Sequence, residues 1–411
     1  MIHGWGKLNR EKSVDNKIQQ ESRARKSLFS ACLAHVTHDG ISDTLYVLFP
    51  IWQAQFGLSF VEVGFLKTLF SGSMASFQVP TGFLAQRIGE IRLLLVGTIL
   101  TSISVMAFGW VSTPFFLAVF LIAGGLGESV QHPLSSSMIS SAYTETQARR
   151  TALSTFNVAG DIGKLILPGI TAFIISQFNW QIATKLLALF GLSATFIIYL
   201  LTRSIRVTTK TSTKKFSSSL LGLKGYGAFW SLSAIGIIDS ATRMGFLTFF
   251  PFLLRDKGAN IATIGLALTL VFAGGAIGKF VCGVLATRLG ILRSVIITEV
   301  VTALCIGGML TLSLENALIL TPILGVALNG TSSVLYGSVP ELVSEEKRNQ
   351  AFALFYTATI GAGAISPPVY GLLSDIVGTQ IAVVIIALVV LVAIPLTIPL
   401  RGKLVQQVFS D

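Results

Sequence analysis

Charge is scarce in this chain. Only 12% of its 411 residues are Asp, Glu, Lys or Arg, about half the share found in soluble globular proteins. So few charges cannot clothe a water-facing surface of this size, which excludes a soluble multidomain enzyme. Acidic residues are the rarer sign, 19 against 30 basic ones, for a formal charge of +11. Cysteine is nearly absent. Cys32, Cys282 and Cys305 lie far apart inside apolar runs, so neither a disulfide framework nor a zinc site is expected. The chain also lacks HExxH, GxSxG and phosphate-binding Gly-Lys sequences. No enzymatic activity, resident metal or cofactor is therefore expected.

What is abundant is apolar sequence, 52% of the chain. Runs of about 20 apolar residues suffice to cross a hydrocarbon core of ~30 Å. Twelve such runs are predicted, at 28–52, 60–84, 92–111, 114–142, 151–177, 181–202, 225–254, 261–287, 293–312, 317–339, 350–374 and 379–400. The expected fold is an all-α integral membrane protein of twelve transmembrane helices. The segment 1–27 is charged and holds no apolar core, so no cleavable signal peptide is expected.

The basic residues sort by loop. Placing the segment 1–27 in the cytoplasm puts seven there: Lys7, Arg10, Lys12, Lys17, Arg23, Arg25 and Lys26. Six more fall between 203 and 224: Arg203, Arg206, Lys210, Lys214, Lys215 and Lys224. Pairs follow on the remaining same-side loops: Arg87 and Arg92, Arg149 and Arg150, Arg288 and Arg293, Lys347 and Arg348, Arg401 and Lys403. The opposite loops carry only Arg255 and Lys257. This bias follows the positive-inside rule and predicts that both termini are cytoplasmic. The positive charge is thus read as topology plus attraction to anionic lipid, not as a nucleic-acid surface. Trp52, Trp110 and Trp180 fall at outer span ends, where an interfacial belt is expected.

The second half of the chain repeats the first. Pro50 pairs with Pro251, Gly57 with Gly258 and Gly64 with Gly265, all in one register. The stretch Gly82 to Arg92 matches Gly283 to Arg293 at six of eleven positions. The expected organisation is a tail (1–27), a six-helix bundle (28–202), a basic linker (203–224), a second pseudo-symmetric six-helix bundle (225–400) and a second tail (401–411). In such proteins the binding site forms between the repeats at mid-membrane.

With this architecture on the page, the chain resembles the major facilitator superfamily over essentially its whole length. Gly82, Arg87, Gly89 and Arg92, with their repeats Gly283, Arg288, Gly290 and Arg293, resemble that superfamily's signature loops, and the resemblance implies a gating role for them. Gln86 and Thr287 stand where an acidic residue is usual. A closer likeness is to the fosmidomycin-resistance family of efflux pumps. It rests on His35-Val-Thr-His-Asp39, on Gly127-Glu-Ser-Val-Gln-His-Pro133 and on Phe156-Asn-Val-Ala-Gly-Asp-Ile-Gly163. Leu121 stands where another proton–drug antiporter family places an arginine.

Ionisable side chains at mid-membrane are costly and mark functional sites. His35, Asp39 and Asp43 recur every four residues on one helical face, with His38 beside them. Glu128 and His132 are spaced one turn apart. These six are expected to carry protons, because an adjacent histidine brings a buried carboxyl toward the physiological range. Asp161 and Lys164, Asp239 and Arg243, and Asn329, which matches Glu128 in the repeat, are expected to line a substrate cavity. Asp161–Lys164 could equally be a static pair, and Asp43 could merely be solvated. Lys279 is read as snorkelling to the surface. The glycines at 274, 275, 278, 361 and 363 are read as helix packing.

The function expected from these readings is proton-coupled export of a small organic solute by alternating access. Import of an organic anion or metal chelate is the alternative. The expected partners are that solute, protons and the lipid bilayer, with a bacterial cytoplasmic membrane as location and a monomer as the working unit.

Overall fold

The computed structural model describes residues 2–203 and 226–404, with side chains from residue 19 onward except at 349. Among the described residues the fold is helix and connecting turn, without strands. The predicted linker, apart from Arg203, and residues 405–411 of the second tail lie outside them.

The N-terminal half contains α1 (Ile2–Phe56), α2 (Phe60–Ile88), α3 (Glu90–Phe108), α4 (Pro114–Glu128), α5 (Gln131–Ala142), α6 (Thr146–Gln177) and α7 (Trp180–Thr202). The C-terminal half contains α8 (Gly227–Asp256), α9 (Ile261–Leu289), α10 (Ile291–Thr311), α11 (Leu314–Ser338), α12 (Arg348–Val377) and α13 (Thr379–Leu391). A 3₁₀ turn over Pro395–Leu400 finishes the last span, because Pro395 and Pro399 withdraw backbone donors there. With α4 and α5 counted as one crossing, the described residues form twelve spans. Ten are long and apolar enough by themselves to cross a membrane. The other two, α1 and α2, carry more polar residues along their lengths.

Helix α1 starts at Ile2 and runs unbroken into the first span, so the expected tail is helical. One sequence expectation is corrected. The fourth span is not one helix. Pro133 has no N–H to bond residue 129, and its ring crowds that carbonyl, so the chain turns at Ser129 and Val130.

The internal repeat is structural. Helices α2 and α9 are both 29 residues long. They start at Phe60 and Ile261, which are matched positions of the repeat. Ser59 caps α2 through its side chain, and Asn260 caps α9 in the same way. Each helix ends on a glycine of positive φ, Gly89 at 94° and Gly290 at 83°. Any Cβ there would be strained, which accounts for the matched glycines of the Gly82 and Gly283 loops.

Apolar packing shows how the two bundles meet. One core is shared by both halves and gathers Leu45, Phe49 and Trp52 with Phe246, Phe250 and Leu253. The other cores belong to one half each: Phe229, Leu335 and Phe355 in the C-terminal bundle, and Leu94, Leu134 and Met138 in the N-terminal bundle. The shared core lies toward the ends of α1 and α8 that are remote from the chain termini, here called the far side. Polar contacts agree. Arg255 donates to the Pro50 carbonyl at 3.3 Å and to Gln53 Oε1 at 3.1 Å. Asp375 of α12 accepts from the Phe60 and Val61 amides at the start of α2, both at 2.8 Å. The bundles are joined on the far side and separate toward the tail side.

Trp52 and Trp180 are not the expected interfacial belt. Both are buried, packed edge to face at 6.1 Å, and Trp180 donates to Gln55 Oε1 at 2.7 Å. Only Trp110 of the three is exposed.

Candidate functional site

Helix α1 supplies the axis of the site, and α6 comes close enough to complete it. At Gly160 a Cβ would stand 2.6 Å from His35 Cε1, so only glycine lets the imidazole ring seat there. His35 stacks on Phe156 with centroids 4.1 Å apart, and its Nδ1 lies 2.7 Å from the Phe156 carbonyl oxygen. Its Nε2 lies 3.2 Å from Asp39 Oδ2. Lys164 Nζ, from α6, reaches the same oxygen at 3.1 Å. His132 Nε2, from α5, lies 3.5 Å from Oδ1. Asp39 is therefore the hub of three groups from three helices. Its own side chain is 9% exposed, while Lys164 and His132 keep 35% and 37% and line an open space.

Hydrogen positions follow from the partners. A carbonyl oxygen only accepts, so His35 Nδ1 carries a hydrogen and donates it to Phe156. The contact between Nε2 and the Asp39 carboxyl then bonds only if a second proton lies between them. A parallel arrangement stands beside it. Thr98 donates its hydroxyl hydrogen to the Leu94 carbonyl at 2.8 Å, so it accepts from His38 Nε2 at 2.9 Å. His38 Nδ1 is left facing Glu128 Oε2 at 3.8 Å. Both atoms are buried and have no hydrogen-bond partner. Two facing acceptors in an apolar interior repel unless one holds a proton.

Three expected pairings are therefore corrected. Glu128 and His132 do not pair, because the helix breaks between them; Glu128 faces His38 and His132 faces Asp39. Asp161 and Lys164 do not pair either. Lys164 turns to Asp39, and Asp161 takes both oxygens to Lys279 Nζ of α9, at 2.6 and 2.8 Å. Lys279 thus does not simply snorkel but ties one bundle to the other. Asp239 and Arg243 form no ion pair among the described residues, and Arg243 Nε is buried without a partner. Asn329 packs on Gly275 and donates to the Gly325 carbonyl at 3.3 Å, which makes it part of the α9–α11 contact. Gly274 and Gly278 serve that contact as expected, against Pro322 and Val326 backbone.

Asp43 lies in the electrostatic field of Lys164, Lys67 and Arg243, at the apex where the bundles join. Nearby, Tyr46 donates to Met244 Sδ at 3.5 Å across that junction, and Lys67 sits 4.6 Å from the Tyr46 ring centre. Arg87, Arg92, Arg288 and Arg293 are exposed and make no ion pair among the described residues. Gly82 and Gly283 border open space. A cleft of about 410 Å³ opens between α9 and α11, lined by Gly283, Thr287, Ser333 and Glu341, away from the charged cluster.

Sequence reasoning passed over Lys67 and Glu299. Each was visible as a charge in an apolar run, and Glu299 is the repeat counterpart of Thr98, the partner of His38. His35, Asp39 and His132 bring ligating atoms within 4.8 Å of one another, a spacing a metal ion could bridge. Lys164 already supplies a cation to Asp39, so the cluster is balanced as an ion network.

Comparison with known proteins agrees with this architecture. The profile of the Major Facilitator Superfamily matches residues 31–238 and again 232–406. A probable sulfoacetate transporter, SauU of Cupriavidus necator, is 21% identical over 356 residues, covering 80% of this chain and 82% of its own. The fosmidomycin resistance protein of Escherichia coli is 27% identical over 178 residues, 41% of this chain and 43% of its own. Among solved structures, a bacterial homologue of the lysosomal transporter Spinster, described as inward-facing and occupied, superposes with a TM-score of 0.75 at 16% identity. It covers 90% of this chain and 95% of its own. The nucleoside transporter NupG gives 0.75 at 14%, covering 92% and 100%. The family profile matches each half of the chain in turn, and the chain belongs to the Major Facilitator Superfamily, a family of multi-pass membrane transporters of small solutes rather than enzymes.

Proposed function

We propose that this transporter exports a small organic solute bearing an anionic group in exchange for protons carried by the His35–Asp39 and His38–Glu128 pairs. The observation that carries the proton coupling is the pair of unpartnered atoms, His38 Nδ1 and Glu128 Oε2, buried 3.8 Å apart on different helices. An unsatisfied buried polar group costs about 1–3 kcal/mol. A proton shared as the two atoms close to hydrogen-bonding distance removes that cost, and separating α1 from α4 restores it. Motion of one helix relative to the other therefore changes proton affinity, which is the physical requirement for coupling. Inward movement of one proton across 100 mV supplies about 2.3 kcal/mol.

An anionic solute is supported by the apex. Arg243 from the C-terminal bundle and Lys67 from the N-terminal bundle have no carboxylate within ion-pair distance among the described residues. Lys67 lies over the Tyr46 ring, and Arg243, next to Met244 in sequence, acts electrostatically on Tyr46. A solute anion between them would touch both bundles at once. The similarity to a sulfoacetate transporter accords with such a solute, and the similarity to a resistance protein favours export. With both tails in the cytoplasm of a bacterial cell, the open side is cytoplasmic and the far-side junction is the closed extracellular gate. Asp39, Lys164 and His132 then line the route by which a cytoplasmic solute arrives.

The test is a susceptibility and growth profile of cells with and without the chain, across phosphonates, sulfonates and carboxylates. It is followed by accumulation of the labelled compound that responds. Lower accumulation with the chain, reversed when a protonophore collapses the gradient, is expected. Accumulation that ignores the protonophore contradicts proton coupling, and a response confined to cationic compounds contradicts the anion reading.

A further inference from the structure

The repeat places a second acid pair in the C-terminal bundle. His38 and Thr98, hydrogen-bonded at 2.9 Å, have as their repeat counterparts Asp239 on α8 and Glu299 on α10. Both carboxyls are buried, at 5% and 1% exposure. The fold thus exchanges a neutral histidine–threonine bond for two carboxyls at the matching place. They lie within each other's electrostatic reach, and Cys282 of α9 feels both.

The surroundings are incompletely bonded. Glu299 Oε1 has no hydrogen-bond partner, nor do Thr302 Oγ1, three residues on along α10, Thr242 Oγ1, three residues after Asp239, or Arg243 Nε. Thr302 and Thr242 are each 1% exposed, and spacing of three places each on the face of its neighbouring carboxyl. The charged group that acts on Asp239 is Arg243, and the one that acts on Glu299 is Asp239 itself. Helix α13 contains no titratable residue, and those of α11, Glu315 and Tyr336, lie near its two ends. Two carboxylates against one guanidinium leave one uncompensated negative charge in an apolar interior, where an unpaired charge is prohibitive. One more positive charge is needed.

We propose that Asp239 and Glu299 form a second proton-binding site, holding one proton between them, so that each repeat carries its own proton-binding position. The site stands apart from the His38–Glu128 reading, because its residues belong to the C-terminal bundle and its test reads proton occupancy rather than transport. A sodium ion is the competing occupant. The adjacent guanidinium disfavours it, and the test separates the two.

The experiment uses the full chain in lipid nanodiscs and infrared difference spectra between neutral and alkaline buffer, with proton release counted in parallel. Wild type, Glu299→Gln, Asp239→Asn and Glu128→Gln are compared, each in sodium and in choline chloride. The expected result is loss of one protonated-carboxyl component in Glu299→Gln, different from the component lost in Glu128→Gln. Proton release should fall by about one per chain, the same in both salts. If Glu299→Gln fails to assemble, Asp239→Asn leaves Glu299 against Arg243 alone and should abolish the shared component instead. Spectra and proton counts of both variants equal to wild type overturn the proposal. A carboxyl component displaced by sodium but not by choline also overturns it, and assigns the site to sodium.

Discussion

Replacing Asp375 by Asn should loosen the far-side gate without unfolding the protein. Helix α2 begins with amides that have no partner inside the helix. Two of them, Phe60 and Val61, are satisfied by Asp375 from the opposite bundle, each at 2.8 Å. The next, Glu62, is satisfied by Ser59 within the capping box. An asparagine retains one acceptor oxygen and turns an amide donor toward the other N–H. One bond to a carboxylate is lost, and with it the negative charge that favours a helix N-terminus. A charged hydrogen bond contributes about 1.5–3 kcal/mol and the helix terminus about 0.3–1 kcal/mol. Asp375 is exposed, so solvent screening discounts both, to about 1–2 kcal/mol together. That is roughly a 5- to 30-fold change in the closed-to-open ratio of the far side. Spin labels at Ser176 on α6 and Ala262 on α9, both exposed, would report the distance between the far ends of the two bundles. The account expects a longer-distance population to grow in Asp375→Asn and again in Asp375→Ala, with the melting temperature nearly unchanged. A distance distribution identical to wild type in both variants would refute the idea that this carboxylate latches the gate.

Gly160→Ala should push the His35 ring off Asp39 by most of an ångström, cutting gradient-driven transport by at least about tenfold, the equivalent of one charged hydrogen bond; transport at the wild-type rate would contradict the seating argument. Asp161→Asn and Lys279→Ala should show non-additive losses of thermal stability in a double-mutant cycle, with a coupling of about 0.5–1 kcal/mol for a partly exposed pair; additive losses would mean the ion pair contributes nothing. Outside the membrane, the Glu145 carboxyl caps α6 and is held below the usual Glu range by the Ala148 and Gln147 amides. Its contribution is therefore present above the ordinary Glu pKa and is lost as pH falls through the lowered value. Amide exchange at Gln147 and Ala148, measured across that acid range, should accelerate in wild type, and should already be fast at neutral pH in Glu145→Ala.

Much of the architecture is legible in the sequence because its signals are local. Apolar runs, paired glycines such as Gly89 and Gly290, and the one-sided distribution of arginine and lysine each follow from the bilayer as solvent. The candidate cluster is legible as membership but not as pairing. His35, His38, Asp39, Glu128, His132 and Lys164 do gather, because α1, α4, α5 and α6 pack around one place. Helical spacing alone pairs Asp161 with Lys164 and Glu128 with His132. In three dimensions each finds a partner on another helix, because Pro133 breaks the fourth span and α9 brings Lys279 to Asp161. Trp52 and Trp180 mislead for a related reason, since the far-side junction buries span ends that composition alone assigns to the interface. Glu299 is passed over because its significance appears only when the repeat is laid over the His38–Thr98 bond.

The most direct measurement compares two modes of transport in proteoliposomes carrying Glu128→Gln, using the solute identified by cell profiling. Exchange of labelled for unlabelled solute needs alternating access but no net proton movement, whereas accumulation against a gradient needs the proton. The account predicts exchange near the wild-type rate, with pH-gradient-driven accumulation reduced to the level seen without a gradient. Wild-type accumulation in Glu128→Gln would contradict the claim that the buried His38–Glu128 pair carries the coupling proton.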